Sequence, residues 1–178
     1  MSDIPSGLRD KLRENFSIFS TKITQHLYSR DGTEKFLFEL NDGNFIEAVS
    51  IPAEKRVTGC ISTQVGCKFA CRFCASGLLG FKRNLTSGEM IEEILYLKNK
   101  SKNKRLSHLV FMGIGEPLDN YDNVLKAIRI INSPEGLNIG TRRITISTCG
   151  IIPGIKRLSA EGLQIELSIS LHAADDRT

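Results

Sequence analysis

The stretch QVGCKFACRFC, residues 64–74, decides the fold of this chain, because it places three cysteines directly after a predicted strand at residues 57–65. Cys67, Cys71 and Cys74 have the spacing C-x3-C-x2-C. Three thiolates on one short loop can bind three irons of a [4Fe–4S] cube and leave the fourth iron open, whereas clusters used only for electron transfer close all four positions. The pattern therefore predicts an iron–sulfur site with an open iron.

Two other interpretations of these cysteines stay open on spacing alone. A structural zinc site needs four ligands, and a fourth could come from Cys60, Cys149, His108 or His172. The thiols could also be unligated and structural. A disulfide framework is disfavoured, because the cysteine count of five is odd and residues 1–20 show no export signal. We therefore expect a cytoplasmic chain.

The composition is that of a globular chain. The 178 residues are 40% apolar and 25% charged, with 24 Lys and Arg against 20 Asp and Glu, which argues against disorder. No run of about 18 apolar residues is present, so no membrane partner is expected. The length suits one domain but not a complete eight-stranded barrel, which usually needs roughly 250 residues.

Basic residues cluster in places that could contact RNA phosphates, although a solvated surface also explains each cluster. The clusters are Lys98, Lys100, Lys102, Lys104 and Arg105, then Lys82 with Arg83, then Arg142 with Arg143.

The first third of the sequence predicts a helix and a hairpin. Leu8, Leu12 and Phe16 recur every four residues and suit one helical face. Residues 35–40 and 44–49 alternate apolar and polar side chains around an Asn-Asp-Gly turn.

After Pro52 the pattern changes to alternating strands and helices. Strands are predicted at residues 57–65, 107–112, 143–147 and 163–170, with a loop at 66–85. Thr86 and Glu89 form a predicted capping box at one helix start, and Asp119 or Asn120 is expected to cap the next helix. Four βα steps predict a parallel sheet with right-handed crossovers. The last two strands alternate apolar with polar residues, which suits either an interior that holds a polar ligand or a sheet with one wet face.

Several motifs in order resemble the radical S-adenosylmethionine (SAM) enzymes that methylate an adenine ring of RNA. They are the cysteine motif with Phe73 before its last cysteine, QVGC at 64–67, FKRNLT at 81–86, FMGIGEPLDNY at 111–121, RRITISTCG at 142–150 and SISLHA at 168–173. The resemblance implies an α/β fold, the first part of a radical-SAM partial (β/α)6 barrel. Residues 1–57 would be an accessory helix and β-hairpin. Residues 58–178 would be the truncated barrel, with the cluster loop at 66–85.

The same resemblance implies the cofactors and their ligands. Cys67, Cys71 and Cys74 would hold a [4Fe–4S] cluster, and SAM would bind its open iron. The implied SAM contacts are Gly115, Glu116, Ser147, Ser170, Leu171 and His172. The residue types agree, because glycine permits close backbone approach and a carboxylate accepts hydrogen bonds from an ammonium group. An ordinary strand-to-helix turn and a structural histidine would explain the same residues.

Glu47 matches the proton acceptor of that family. It shares a strand face with Phe45 and Val49, and burial of that face would disfavour the charged carboxylate, as a general base requires. A solvated edge-strand glutamate is the alternative. Cys60 resembles a cysteine near the cluster that could help to resolve a covalent RNA adduct.

The implied reaction is methylation of C2 of an adenine in 23S rRNA and in the tRNA anticodon loop, with flavodoxin or ferredoxin as electron donor. The family's methyl-carrying cysteine has no counterpart among these residues, and Cys149 belongs to a strand end instead. We therefore expect this chain to be a fragment that is inactive alone. Methylation at C8, or a non-catalytic iron–sulfur or zinc RNA-binding module, are the alternatives.

Overall fold

The computed structural model describes residues 4–78, 80–101, 105–173 and 175, and a seven-stranded sheet organises these ranges. The strands are β1 Lys22–Tyr28, β2 Glu34–Glu39, β3 Phe45–Pro52, β4 Val57–Cys60, β5 Gln64–Gly66, β6 Phe81–Asn84, β7 Leu106–Phe111, β8 Ile144–Thr148 and β9 Glu166–Ile169. The α-helices are α1 Ser6–Asn15, α2 Ala75–Leu78, α3 Ser87–Lys100, α4 Tyr121–Asn132 and α5 Ile152–Ala160.

The main sheet has an antiparallel half and a parallel half. Its order is β1-β2-β3-β4-β7-β8-β9. Strands β1 to β4 pair antiparallel, and β4, β7, β8 and β9 pair parallel. Because parallel strands end at the same edge, the loops that follow β7, β8 and β9 meet at one end of the sheet, where barrel ligands bind. The expected α/β order is confirmed.

Helices α3 and α4 cover one face of the sheet and form the core with it. Met90, Ile94 and Leu97 of α3 and Ile128 of α4 are fully buried in one apolar cluster with the helix-facing strand residues. The predicted capping box is confirmed: Thr86 Oγ1 accepts from the Glu89 amide at 3.2 Å. The core therefore fixes the strands whose far ends carry the site.

The structure adds elements that the sequence pattern did not predict. Strand β1 joins the predicted hairpin, and its alternation is interrupted by a register shift between Ile23 and Gln25. The single strand predicted at 57–65 is wrong, because the chain leaves the main sheet after Cys60 and forms β5. The predicted loop at 66–85 contains α2 and also β6, which pairs with β5 in a second, two-stranded sheet.

Two helix and strand predictions also need correction. Asn120 occupies the cap position of α4, but its side chain makes no cap hydrogen bond. The fourth strand of the series is short, residues 166–169 rather than 163–170.

None of the helices in the described ranges combines the length and apolar character needed to cross a membrane.

Candidate functional site

A cavity of about 310 Å³ lies where the carboxyl ends of the parallel strands meet the loop after β5. Its lining residues are Cys67, Phe69, Cys71, Phe73, Cys74, Phe111, Met112, Gly113, Gly115, Glu116, Ser147, Thr148, Cys149, Ser170 and His172. The three predicted cluster cysteines and five of the six predicted SAM contacts are therefore in one place. Leu171 is the exception, since it does not line the cavity and is 81% exposed.

The three thiols of the cysteine motif are half-buried at this cavity. Burial raises the pKa of Cys67, and the neighbouring Cys71 and Cys74 add to the shift. Within the described ranges no three His, Cys, Asp or Glu side chains are grouped as ligands of one metal ion. In a [4Fe–4S] cube each thiolate binds a different iron. Three thiols open to one cavity fit that group better than they fit a single zinc ion.

The other part of the cavity is built by two segments that lie side by side, residues 61–66 and residues 113–120, which we call the floor. The amide of Gly113 donates to the Ile61 carbonyl at 3.0 Å, and the amide of Thr63 donates to the Ile114 carbonyl at 2.8 Å. At Gly115, φ is +108° and a Cβ atom would lie 2.6 Å from the Gln64 Cβ. Only glycine allows this approach.

Glu116 is buried in the floor, and its carboxylate connects the segment after β7 to the end of β8. Its Oε1 accepts from the Leu118 amide at 3.0 Å, and its Oε2 accepts from the Cys149 amide at 2.8 Å. Each oxygen has a second lone pair. The carboxylate therefore holds the end of β8 against the floor and can still accept a hydrogen bond from a ligand in the cavity.

Polar side chains connect the two segments of the floor to each other and to neighbouring residues. The Gln64 amide group donates to Asn84 and Asp119, both at 2.8 Å, and Asp119 also accepts from Lys68. The Asn120 amide group donates to the carbonyls of Thr63 and Leu85 at 2.8 and 2.7 Å. This explains why Asn120 does not cap its helix: its side chain satisfies two buried carbonyls instead.

The serines and the histidine lie at the ends of β8 and β9, as expected. Ser147 Oγ and Ser170 Oγ are 3.5 Å apart, and the ring of His172 packs edge-on against Phe73 with centroids 4.7 Å apart. Polar side chains of two strands thus converge beside the thiols. His172 also has a structural contact, so the structural explanation of that histidine has support.

The structure does not bury the Glu47 face. In β3 the buried residues are Ile46, Ala48 and Ser50, whereas Phe45, Glu47 and Val49 face the other way. The Glu47 side chain is 37% exposed, and its Oε1 lies 3.0 Å from Lys35 Nζ. This partly exposed position agrees with the alternative of a solvated glutamate. Glu47 also does not line the cavity, although its role as a base remains a prediction.

The two remaining cysteines differ in position. Cys149 lines the cavity, where burial and the adjacent Glu116 raise its pKa to about 12. Cys60 lies outside the cavity lining, and burial together with Glu93 raises its pKa to about 11. Of the four residues considered as a fourth zinc ligand, Cys149 and His172 lie at the cavity, and His108 and Cys60 do not.

Sequence reasoning missed several residues of the site. Thr148 and Phe69 line the cavity, and Ser62, Gln64 and Glu93 are buried polar residues in or next to the floor. The signal for the second group was available: these are polar residues inside segments that otherwise read as buried strand or helix.

The basic clusters that could contact RNA phosphates differ in their surroundings. In the first cluster, Lys98, Lys100 and Arg105 are exposed, and Lys102 and Lys104 lie outside the described residues. Lys82 and Arg83 instead contact Asn44 and Asp42 of the hairpin turn, at 2.8 and 2.6 Å.

These features define a class: an α/β partial barrel with three thiols and a glycine–carboxylate turn at the carboxyl ends of its parallel strands. Residues 61–178 match the model of the radical SAM superfamily. The chain belongs to the radical SAM superfamily, whose members use a [4Fe–4S] cluster and SAM.

Individual relatives agree with this assignment. The chain is 53% identical to a protein of Clostridium acetobutylicum and 54% identical to one of Carboxydothermus hydrogenoformans, both named probable dual-specificity RNA methyltransferase RlmN. The matches cover 100% and 99% of this chain and 52% of each relative. A crystal structure of a radical SAM methyltransferase from Sphaerobacter thermophilus superposes with a TM-score of 0.91 at 39% identity, covering 97% of this chain and 51% of that one. The chain thus spans about half the length of the relatives it matches.

Proposed function

We propose that this chain is part of a radical SAM methyltransferase that acts on RNA, with C2 of an adenine in 23S rRNA and in tRNA as its target. The observation that carries the proposal is the single cavity that joins the three thiols to Gly115, Glu116, Ser147 and Ser170. The names of the similar proteins support RNA as the substrate. When bound, the cluster and SAM supply a 5′-deoxyadenosyl radical.

Within this proposal each group has a defined task. Cys67, Cys71 and Cys74 bind the cluster. Gly113 and Gly115 let the backbone approach the amino acid part of SAM, and Glu116 accepts a hydrogen bond from its ammonium group. Ser147, Ser170 and His172 line the same cavity and are proposed to contact the rest of SAM. Leu171 is retained as a contact only through its backbone, since its side chain is exposed.

Glu47 is proposed as the base that removes the adenine ring proton. It lies on the sheet face opposite the helices, and its strand β3 pairs with β4 in such a register that Val49 faces Cys60. Its carboxylate is partly exposed, with Oε1 3.0 Å from Lys35 Nζ. Glu47→Gln should leave SAM cleavage intact and stop release of methylated adenine; normal product formation would exclude this role.

The remaining assignments follow from the same chemistry. The adenine must leave its stack to reach the cavity, and exposed Lys98, Lys100 and Arg105 are proposed to contact RNA phosphates. An external reductant such as flavodoxin or ferredoxin is needed. Cluster thiols and RNA substrates favour the cytoplasm. We also propose residues 1–57 as an accessory segment and residues 58–178 as the barrel segment.

Two measurements test the proposal. Anaerobic reconstitution of the chain should give about four irons per chain and reductant-dependent formation of 5′-deoxyadenosine from SAM. Stoichiometric zinc without iron would instead support a non-catalytic RNA-binding module. RNA from cells that express the gene should contain 2-methyladenosine that is lost on deletion of the gene. Mass spectrometry showing 8-methyladenosine would reassign the position. Because the methyl-carrying cysteine has no counterpart among these residues, we expect the chain alone not to methylate RNA.

A further inference from the structure

We propose that Glu93 and Ser62 are positioning residues that hold the turn at residues 113–116 in the geometry that binds SAM. Neither residue lines the cavity, and the inference rests on the proposed role of that turn in SAM binding. The pair connects helix α3, strand β3 and the turn through one buried hydrogen-bond chain.

The first residue of this series of hydrogen bonds is Glu93 on helix α3. It is fully buried on α3, and its Oε2 accepts from the backbone amide of Ser62 at 3.0 Å. Its Oε1 has no hydrogen-bond partner in the part of the chain that the structure describes. Burial raises the pKa of Glu93 well above its ordinary value, because desolvation disfavours the charged carboxylate.

Ser62 connects Glu93 to the turn at residues 113–116. Its hydroxyl donates to the Glu47 carbonyl at 2.6 Å and accepts from the Ile114 amide at 3.0 Å. The amides of Thr63 and Gln64 both donate to the Ile114 carbonyl, at 2.8 and 3.1 Å. The position of Ser62 therefore sets the position of Ile114, which lies between the two glycines that would approach SAM.

The chemistry of position 93 points to positioning rather than packing. A buried carboxyl group costs free energy that an apolar side chain of similar size would avoid. The one hydrogen bond described for this group is to the Ser62 amide. Since this bond uses one carboxyl oxygen as an acceptor, the side-chain carbonyl of a glutamine of the same shape can replace it.

Glu92 provides a matched control on the same helix. Its two oxygens accept from the Ser20 amide and hydroxyl and from the Thr21 amide, at 2.9, 2.7 and 3.0 Å. It thus holds the segment before β1, and none of these hydrogen bonds, the ones described for Glu92, reaches the floor. Loss of Glu92 should cost fold stability without moving the turn.

The experiment compares Glu93→Ala, Glu93→Gln, Ser62→Ala and Glu92→Ala in the full chain. The SAM dissociation constant is measured on the reconstituted protein, and amide hydrogen exchange at Ile114 is measured without any cofactor. We expect Glu93→Ala and Ser62→Ala to weaken SAM binding about tenfold and to speed exchange at Ile114. Glu93→Gln should restore both values to within about threefold of the unmodified chain, and Glu92→Ala should change neither.

The outcomes separate this inference from the proposed function. If the unmodified chain binds no SAM, the assignment of the turn fails, but exchange at Ile114 still decides the positioning role. Unchanged exchange at Ile114 in Glu93→Ala and Ser62→Ala overturns the inference. If Glu93→Ala does not fold, Ser62→Ala and Glu93→Gln still decide it. A Glu93→Gln variant that weakens SAM binding tenfold also overturns it.

Discussion

The floor of the cavity and the loop that carries the thiols are neighbours, yet they are built in opposite ways. Residues 61–66 are all buried, and within 113–120 most residues are buried too. Residues 67–78 contain no buried residue, and Phe73 and Leu78 are 73% and 85% exposed. Many hydrogen bonds connect the floor to helices and strands, whereas the thiol loop has mainly short-range bonds such as Cys74 to Cys71 at 2.9 Å.

This difference shows which part of the site the fold prepares in advance. The floor is shaped by packing and buried polar groups before any cofactor arrives, as preorganised binding sites require. The thiol loop has three thiols at one cavity but little packing to fix them, so a bound cluster would have to complete its geometry. Metal binding of this kind contributes to local folding.

The largest effect is expected in the thiol loop, on metal content rather than on stability. Cys71→Ser removes one ligand and should lower reconstituted iron from about four to below about one per chain. The midpoint of urea unfolding of the metal-free chain should stay unchanged, because Cys71 packs little. Iron content is measured after anaerobic reconstitution. Cys149→Ser is the matched control at the same cavity and should retain iron; full iron in Cys71→Ser would contradict the ligand assignment.

In the floor, adding one methyl group at Gly115 should lower the free energy of unfolding by more than adding one at Gly150, which lies outside the floor. Gly115 and Gly150 both have φ of +108°, but a Cβ on Gly115 would meet Gln64 at 2.6 Å, whereas a Cβ on Gly150 would meet nothing within 4 Å. Gly150→Ala should cost about 1–2 kcal/mol of unfolding free energy from backbone strain. Gly115→Ala should cost about 2 kcal/mol more from the steric clash. Equal losses of unfolding free energy for Gly115→Ala and Gly150→Ala in urea unfolding would mean that the floor accommodates a Cβ atom as easily as the open position of Gly150.

The buried Glu93 predicts a pH dependence of the floor. Its pKa is raised by burial in the folded state, so the folded chain binds the proton more tightly than the unfolded chain. The resulting contribution is fully present below the ordinary pKa of 4.5 and is lost as pH rises through the raised value. Glu93→Gln cannot titrate, so its stability relative to the unmodified chain should increase from pH 5 to pH 9. A constant difference in unfolding free energy across this range would contradict a Glu93 carboxyl whose pKa is raised by burial.

The smallest effect is expected for an aromatic residue of the thiol loop. Phe73 is 73% exposed and contacts the His172 ring, so Phe73→Ala should change the unfolding free energy by less than about 0.5 kcal/mol. Phe111, which is fully buried behind the same cavity, is the comparison. Phe111→Ala should cost about 3–5 kcal/mol. Similar costs for the two variants would contradict the difference in packing between the thiol loop and strand β7 beside it.

The sequence predicted those parts that depend on local pattern. The capping box follows from the spacing of Thr86 and Glu89, the strand–helix order follows from periodicity, and the motif resemblance located the thiols and Glu116. The break after Cys60 could not be predicted, because Ile61 and Val65 allow an extended strand to continue and the turn depends on hydrogen bonds to Gly113 and Ile114. The exposure of Glu47 was unpredictable for a related reason: alternation defines two faces of β3 but does not say which one the helices cover.

Hydrogen exchange of the metal-free and the reconstituted chain tests the central claim most directly, since it reads the floor and the thiol loop in one measurement. The account predicts slow exchange of the amides of residues 61–66 and of Ile114 in both forms. It also predicts fast exchange of residues 67–78 in the metal-free chain, which slows when the cluster is bound. A thiol loop that is equally protected in both forms, or a floor that becomes protected only with the cluster, would contradict it.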